Sequence, residues 1–92
     1  SAALPVLPGA REAWSAGATP GGAERNEAWL RDIVDWGDAE PFARALVLDP
    51  QTSGGLLVAL PAELAAEYVS RVPRSVVIGE VRPRGDRAIV LV

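Results

Sequence analysis

The run Asp49-Pro50-Gln51-Thr52-Ser53-Gly54-Gly55 places a carboxylate, an amide, two hydroxyls and two glycines in seven residues, directly ahead of the apolar stretch Leu56–Leu60. These types suit an anion or phosphate contact. Gly54 and Gly55 can take positive φ and let a ligand approach the backbone, and successive N–H groups in such a turn form an anion-binding concavity. Thr52 and Ser53 add hydroxyl donors, while Asp49 could hold a magnesium-bound water or orient Gln51. A second polar cluster lies at Gly21 to Asn26, where Arg25 offers a fork for phosphate or carboxylate and Asn26 a second hydrogen-bonding arm. Both have plainer readings: a structural turn in which Asp49 and Thr52 bond local backbone, and a helix capped by Asn26 with Arg25 paired to Glu24 or Glu27. By pattern alone the plainer readings carry more weight.

Other chemistries are excluded by what the chain lacks. It has no Cys and no His, which removes disulfides, thiol nucleophiles, imidazole bases and the usual zinc ligands. All nine basic residues are Arg, so the lysine of a phosphate-binding G-x-x-x-x-G-K-[ST] loop is missing. The dinucleotide pattern G-x-G-x-x-G does not occur either. Acids fall singly on different elements, which argues against a paired-carboxylate glycosidase, and no metal site is expected. Twelve acids against nine Arg give a net charge of −3, unlike the basic face of a nucleic-acid binder. No apolar run approaches the roughly 20 residues that span a bilayer, and no signal pattern opens the chain. It reads as a soluble, cytoplasmic protein. It also contains no Met, which suggests processing, a tag scar or a piece of something longer.

The elements that must position these residues follow from periodicity and punctuation. After an apolar, proline-marked lead-in over 1–8, Leu7, Ala10 and Trp14 are spaced as on a short helix that Gly17 stops. Residues 17–26 read as loop, Asn26 as a cap, and Trp29, Ile33 and Trp36 as one face of a second helix ending near Gly37. A third helix opens at Pro41, with Asp38 or Glu40 as cap, and must stop by Leu48, because Pro50 pushes Asp49 out of helical backbone space. Leu56–Leu60 reads as a buried strand, 61–72 as a fourth helix, and 75–82 with 87–92 as a β-hairpin joined by Pro83-Arg84-Gly85-Asp86. The three Trp are expected on apolar helical faces, and Glu63, Glu67, Arg71 and Arg74 on a solvated one. The fold class is α+β: a small mixed or antiparallel sheet covered by helices, with exposed edges that proteins normally pair or cover.

Four stretches, Ala3–Ala10, Thr19–Asn26, Leu48–Pro61 and Val77–Val81, together make the chain resemble the C-terminal part of selenophosphate synthetase (selenide, water dikinase). That family sits in the superfamily that includes aminoimidazole ribonucleotide synthetase. The wording of Asp49 to Leu57 is the specific signal and the other three support it. The resemblance implies a reaction in which ATP, selenide and water give selenophosphate, AMP and phosphate. It also implies that residues 1–92 form a single, partial C-terminal domain of a two-domain enzyme, truncated at its N-terminus. The reactive Cys or selenocysteine, its lysine and the aspartates for ATP and Mg²⁺ would lie on an N-terminal ATP-binding domain, the expected partner. No catalytic residue is then expected in this chain, and neither ATP nor Mg²⁺ should bind it tightly. Asp49, Gln51, Thr52, Ser53, Gly54 and Gly55 become a cleft-facing loop, with Arg25 and Asn26 as secondary candidates. Two other accounts stay open: a free-standing binding or dimerisation module on the same scaffold, whose sheet edges would suit a homodimer, and a purine-biosynthesis relative, which the Asp49–Gly55 wording disfavours.

Overall fold

A computed structural model describes residues 3–92; Ser1 and Ala2, the start of the expected lead-in, lie outside them. Helix α1, Ala10–Ser15, opens after Gly9 and closes before Gly17, both with left-handed φ (81° and 89°). Helix α2, Ala23–Leu30, starts three residues before the expected cap, because the Thr19–Gly22 turn already launches it. Ala23 N–H donates to the Pro20 carbonyl at 3.1 Å, and Glu24 in the first turn suits the positive helix end. Asn26 is therefore inside the helix rather than capping it.

Helix α2 also ends earlier than periodicity suggests. Ile33 N–H bonds back to Leu30 O at 2.9 Å, and the chain then extends into strand β1, Val34–Asp35. Two consecutive β-branched residues, Ile33 and Val34, favour extended backbone, and a cross-chain partner satisfies it. That partner is strand β2, Ile89–Val90, which runs parallel to β1 with Val34 opposite Ile89 and Asp35 opposite Val90. Bonds from Ala88 N–H to Ile33 O (3.0 Å) and from Leu91 N–H to Asp35 O (2.9 Å) extend the ladder. Trp29, Ile33 and Trp36 consequently do not form one helical face, and Trp29 is exposed.

Helix α3, Pro41–Leu48, agrees with expectation: Pro41 occupies the first turn, where its missing N–H costs nothing, and Asp49 follows in extended conformation. A short 3₁₀ turn, Ala62–Leu64, leads into α4, Ala65–Arg71. The core is small: Val34 of β1 and Phe42, Ala43 and Leu48 of α3 are buried, and α2 packs on α3. Phe42 meets Trp14 at 5.5 Å between ring centroids, with the Arg11 guanidinium 4.3 Å from its ring centre. Arg11 also donates both terminal nitrogens to the Glu40 carboxylate, at 3.2 and 2.5 Å. This bond holds the Glu40 carboxyl below its ordinary value and raises that of Arg11.

The fold is α+β, but its sheet differs from the expected one. Among the described residues the sheet has two strands, and they are parallel. Residues 75–82 and 87–92 form no hairpin, and Leu56–Leu60 is unpaired. Leu56 is 94% exposed and Val81 87%. Strand pairing is non-local, so an apolar run becomes a strand only where a neighbouring backbone is present to take its hydrogen bonds.

Candidate functional site

The polar loop begins where α3 ends. Asp49 (φ −62°, ψ 122°) turns the chain away from the helix, and Gln51 N–H donates to Asp49 O at 2.8 Å, closing a tight turn around Pro50. Asp49 is half-buried, and residues 50–59 are exposed. Gly54 and Gly55 do not take the positive φ expected of them; the left-handed glycines are Gly9, Gly17 and Gly37. What Gly54 supplies is close approach, since a Cβ there would stand 2.7 Å from Gln51 Oε1. The amide of Gln51 thus folds back over Gly54.

Among the described residues, the side chains of Asp49, Thr52 and Ser53 make no hydrogen bond. The local bonding of a purely structural turn, from Asp49 and Thr52 to nearby backbone, is therefore not formed. The loop leaves two exposed hydroxyls and a half-buried carboxylate unbonded, which can accept from or donate to whatever faces them.

The second cluster meets the first at its root. Asn26, half-buried on α2, donates its Nδ2–H to the Leu48 carbonyl at 2.8 Å. Gly22 sits against Pro50, whose Cγ would be 3.1 Å from a Cβ at that glycine. Thr19–Asn26 and Leu48–Pro50, far apart in sequence, are one joint. Arg25 is exposed and makes neither of its expected ion pairs with Glu24 or Glu27 among the described residues.

Beside this joint lies an open groove of about 440 Å³ between the Thr19–Gly21 turn, α2 and α3, its charged edge formed by Glu24, Glu27 and Arg44. Gln51 to Gly55 do not line it. Arg44 is held in place by donating to Ala39 O at 3.0 Å, with its guanidinium 5.9 Å from the Trp36 ring centre. Arg44 escaped sequence reasoning, as did the contact of Gly22 with Pro50. The Gly21-Gly22 doublet was the legible signal, because paired small residues mark places where two backbones approach.

Asp49 stands alone: no group of three His, Cys, Asp or Glu able to hold a metal ion occurs among the described residues. The side chains present do not fit a magnesium site of this chain's own. No helix among the described residues is long and apolar enough to cross a membrane.

Comparison with known proteins gives a consistent set of relatives. The chain is 42% identical over 95 residues to a protein of Salmonella typhi named selenide, water dikinase, covering 95% of this chain and 26% of that protein. An Escherichia coli protein of the same name is 42% identical over 93 residues, with 96% and 26% covered. One from Trichlorobacter lovleyi is 34% identical over 94 residues, with 98% and 27% covered. The chain thus spans about a quarter of the length of these curated relatives. No protein-family profile matches it, and no solved structure does.

Proposed function

The chain belongs to the selenide, water dikinase family, and from that premise we propose that it serves as the C-terminal domain of an ATP-dependent selenophosphate synthetase. In this reading residues 1–92 are one partial domain of an aminoimidazole ribonucleotide synthetase-like fold. It packs on an ATP-binding domain that this chain does not contain and helps close the cleft over the nucleotide. The observation that carries the proposal is the 42% identity spread over 95% of the chain. Supporting it is the bare apolar surface along 56–60 and 76–81, where Leu57 is 82% exposed and Val77 58%. Exposed apolar runs of this kind mark contact with further protein.

The chemistry asked of this chain is modest. Transfer of a phosphoryl group depends mainly on positioning and on neutralising charge spread over the equatorial oxygens. The nucleophile and the ligands of Mg²⁺ and ATP belong to the absent part, since this chain has no Cys and no Lys and, among the described residues, no acidic cluster that could hold a metal ion. Asp49 to Gly55 contribute a rim of hydrogen-bonding groups that excludes bulk water and fixes the neighbouring domain, with Arg25 as a further cation beside the joint.

The test compares the full-length protein with the 92-residue chain. With ATP, Mg²⁺ and selenide, the full-length protein should form AMP and phosphate in a selenide-dependent manner, and the 92-residue chain should form none. Turnover by the short chain alone, or full-length turnover indifferent to selenide, would sink the proposal. The exposed runs also suit a second reading, a non-catalytic binding or dimerisation module. That reading takes over if the full-length protein is inactive and the chain self-associates in sedimentation.

A further inference from the structure

Helix α3 ends in a way that leaves its last carbonyls without ordinary partners. A helix commonly closes on a left-handed glycine whose N–H turns back to the final turn. Here Asp49 is extended and Pro50 has no N–H at all. The Leu48 residue is buried, so its carbonyl is poorly placed to find water instead, and an unmade bond there is costly. The donor comes from another helix: Asn26 Nδ2–H reaches Leu48 O at 2.8 Å across 22 residues of sequence. On the other side of the same joint, Gly22 lets the α2 turn press on the Pro50 ring. Beyond the joint the loop has little of its own to hold it, because Thr52 and Ser53 make no side-chain bond among the described residues and Gln51 folds only onto Gly54. The direction in which the loop leaves α3 is therefore set at its root.

We propose that Asn26 is the positioning residue of the Asp49–Gly55 loop: its amide, as a cap supplied from a different helix, fixes the loop's exit from α3 without itself touching substrate. The catalytic consequence rests on the reading of that loop as part of the synthetase cleft; the anchoring does not. Asn26→Asp is the sharpest variant, since it keeps the shape but puts a carboxylate oxygen, which cannot donate, against the Leu48 carbonyl. Arg11→Ala is the matched control. It removes the Glu40 fork and the contact on Phe42, so it weakens the α1–α3 packing without touching the joint.

Both variants are made in the full-length protein and followed by amide hydrogen exchange and by steady-state kinetics. Asn26→Asp should speed exchange at Gln51, the loop amide whose N–H is bonded, to Asp49 O, by about fivefold or more, the effect of losing one hydrogen bond to local opening, while α1 and the β1–β2 ladder keep wild-type protection. Arg11→Ala should leave the loop unchanged. Unchanged exchange at Gln51 in Asn26→Asp overturns the proposal, as does a uniform increase along the whole chain, which would make Asn26 a general stabiliser. Where the wild-type protein shows selenide-dependent ATP consumption, Asn26→Asp should lower kcat at saturating ATP about tenfold, an effect on positioning, with Arg11→Ala within twofold even if it melts lower. Equal kcat losses in the two variants overturn the positioning role. If the wild type consumes no ATP with selenide, the synthetase reading fails, and the exchange data still decide whether Asn26 anchors the loop.

Discussion

Gly37→Ala should be among the most damaging single-methyl additions in this chain. Gly37 follows β1 with φ +46°, and a Cβ there would stand 2.9 Å from the backbone oxygen of Leu91, just past β2. Two costs add. Left-handed backbone costs an L-residue roughly 1–2 kcal/mol, and relieving a contact with rigid backbone adds about 1–3 kcal/mol, as overpacking does. The sum of about 2–4 kcal/mol is a large part of the roughly 5–15 kcal/mol that holds a domain together. The damage is also well aimed, because the Leu91 N–H to Asp35 O bond (2.9 Å) and the Gly37 N–H to Asp35 Oδ1 bond (3.0 Å) lie at this turn. Thermal unfolding of the 92-residue chain, followed by far-UV circular dichroism, should show Gly37→Ala melting at least ~8 °C below wild type, at about 4–8 °C per kcal/mol for this size. Gly85→Ala is the control, since its Cβ would enter open space at ordinary φ, and it should shift the midpoint by less than ~3 °C, as surface changes do. A Gly37→Ala midpoint equal to that of the control would refute the reasoning, and with it the role of the β1–β2 pairing in holding the C-terminal segment.

Three further outcomes are expected. Because Arg11 holds the Glu40 carboxyl below its ordinary value of 4.5, the pair's contribution is complete above that value and is lost as pH falls through the lower folded one. The difference in urea midpoint between wild type and Glu40→Gln should accordingly be present at neutral pH and vanish in strong acid, and a difference that stays constant with pH would contradict the fork. Phe42→Ala empties a position that is 5% exposed and should cost about 3–5 kcal/mol, enough in so thin a core to abolish a cooperative thermal transition; a sharp, wild-type-like melt would show that the core lies elsewhere. Gly22→Ala pushes on the Pro50 ring from 3.1 Å and should speed amide exchange at Gln51, whose N–H is bonded to Asp49 O, with little change in α1, whereas unaltered protection there would mean that the turn yields instead.

Local chemistry made part of this structure legible in advance. Pro41 and the Asp49-Pro50 pair bound α3 whatever else is present, because proline's fixed φ and missing N–H act on its own neighbours. Gly17 likewise ends α1, and the polar content of Asp49–Gly55 marked the candidate loop together with the family to which the chain belongs. Tertiary structure decided the rest. Trp29, Ile33 and Trp36 have helical spacing, yet Val34–Asp35 is a strand, because Ile89–Val90 lies alongside to take its backbone bonds. Leu56–Leu60 and Val76–Val81 have strand-like composition, yet without a neighbouring backbone they stay unpaired. Asn26 has the residue type of a helix cap and is one, but for the end of α3 rather than the start of α2. Spacing along the chain records which groups a residue carries and how its own backbone bends; which distant donor meets which acceptor depends on where the chain returns, and only the folded structure contains that.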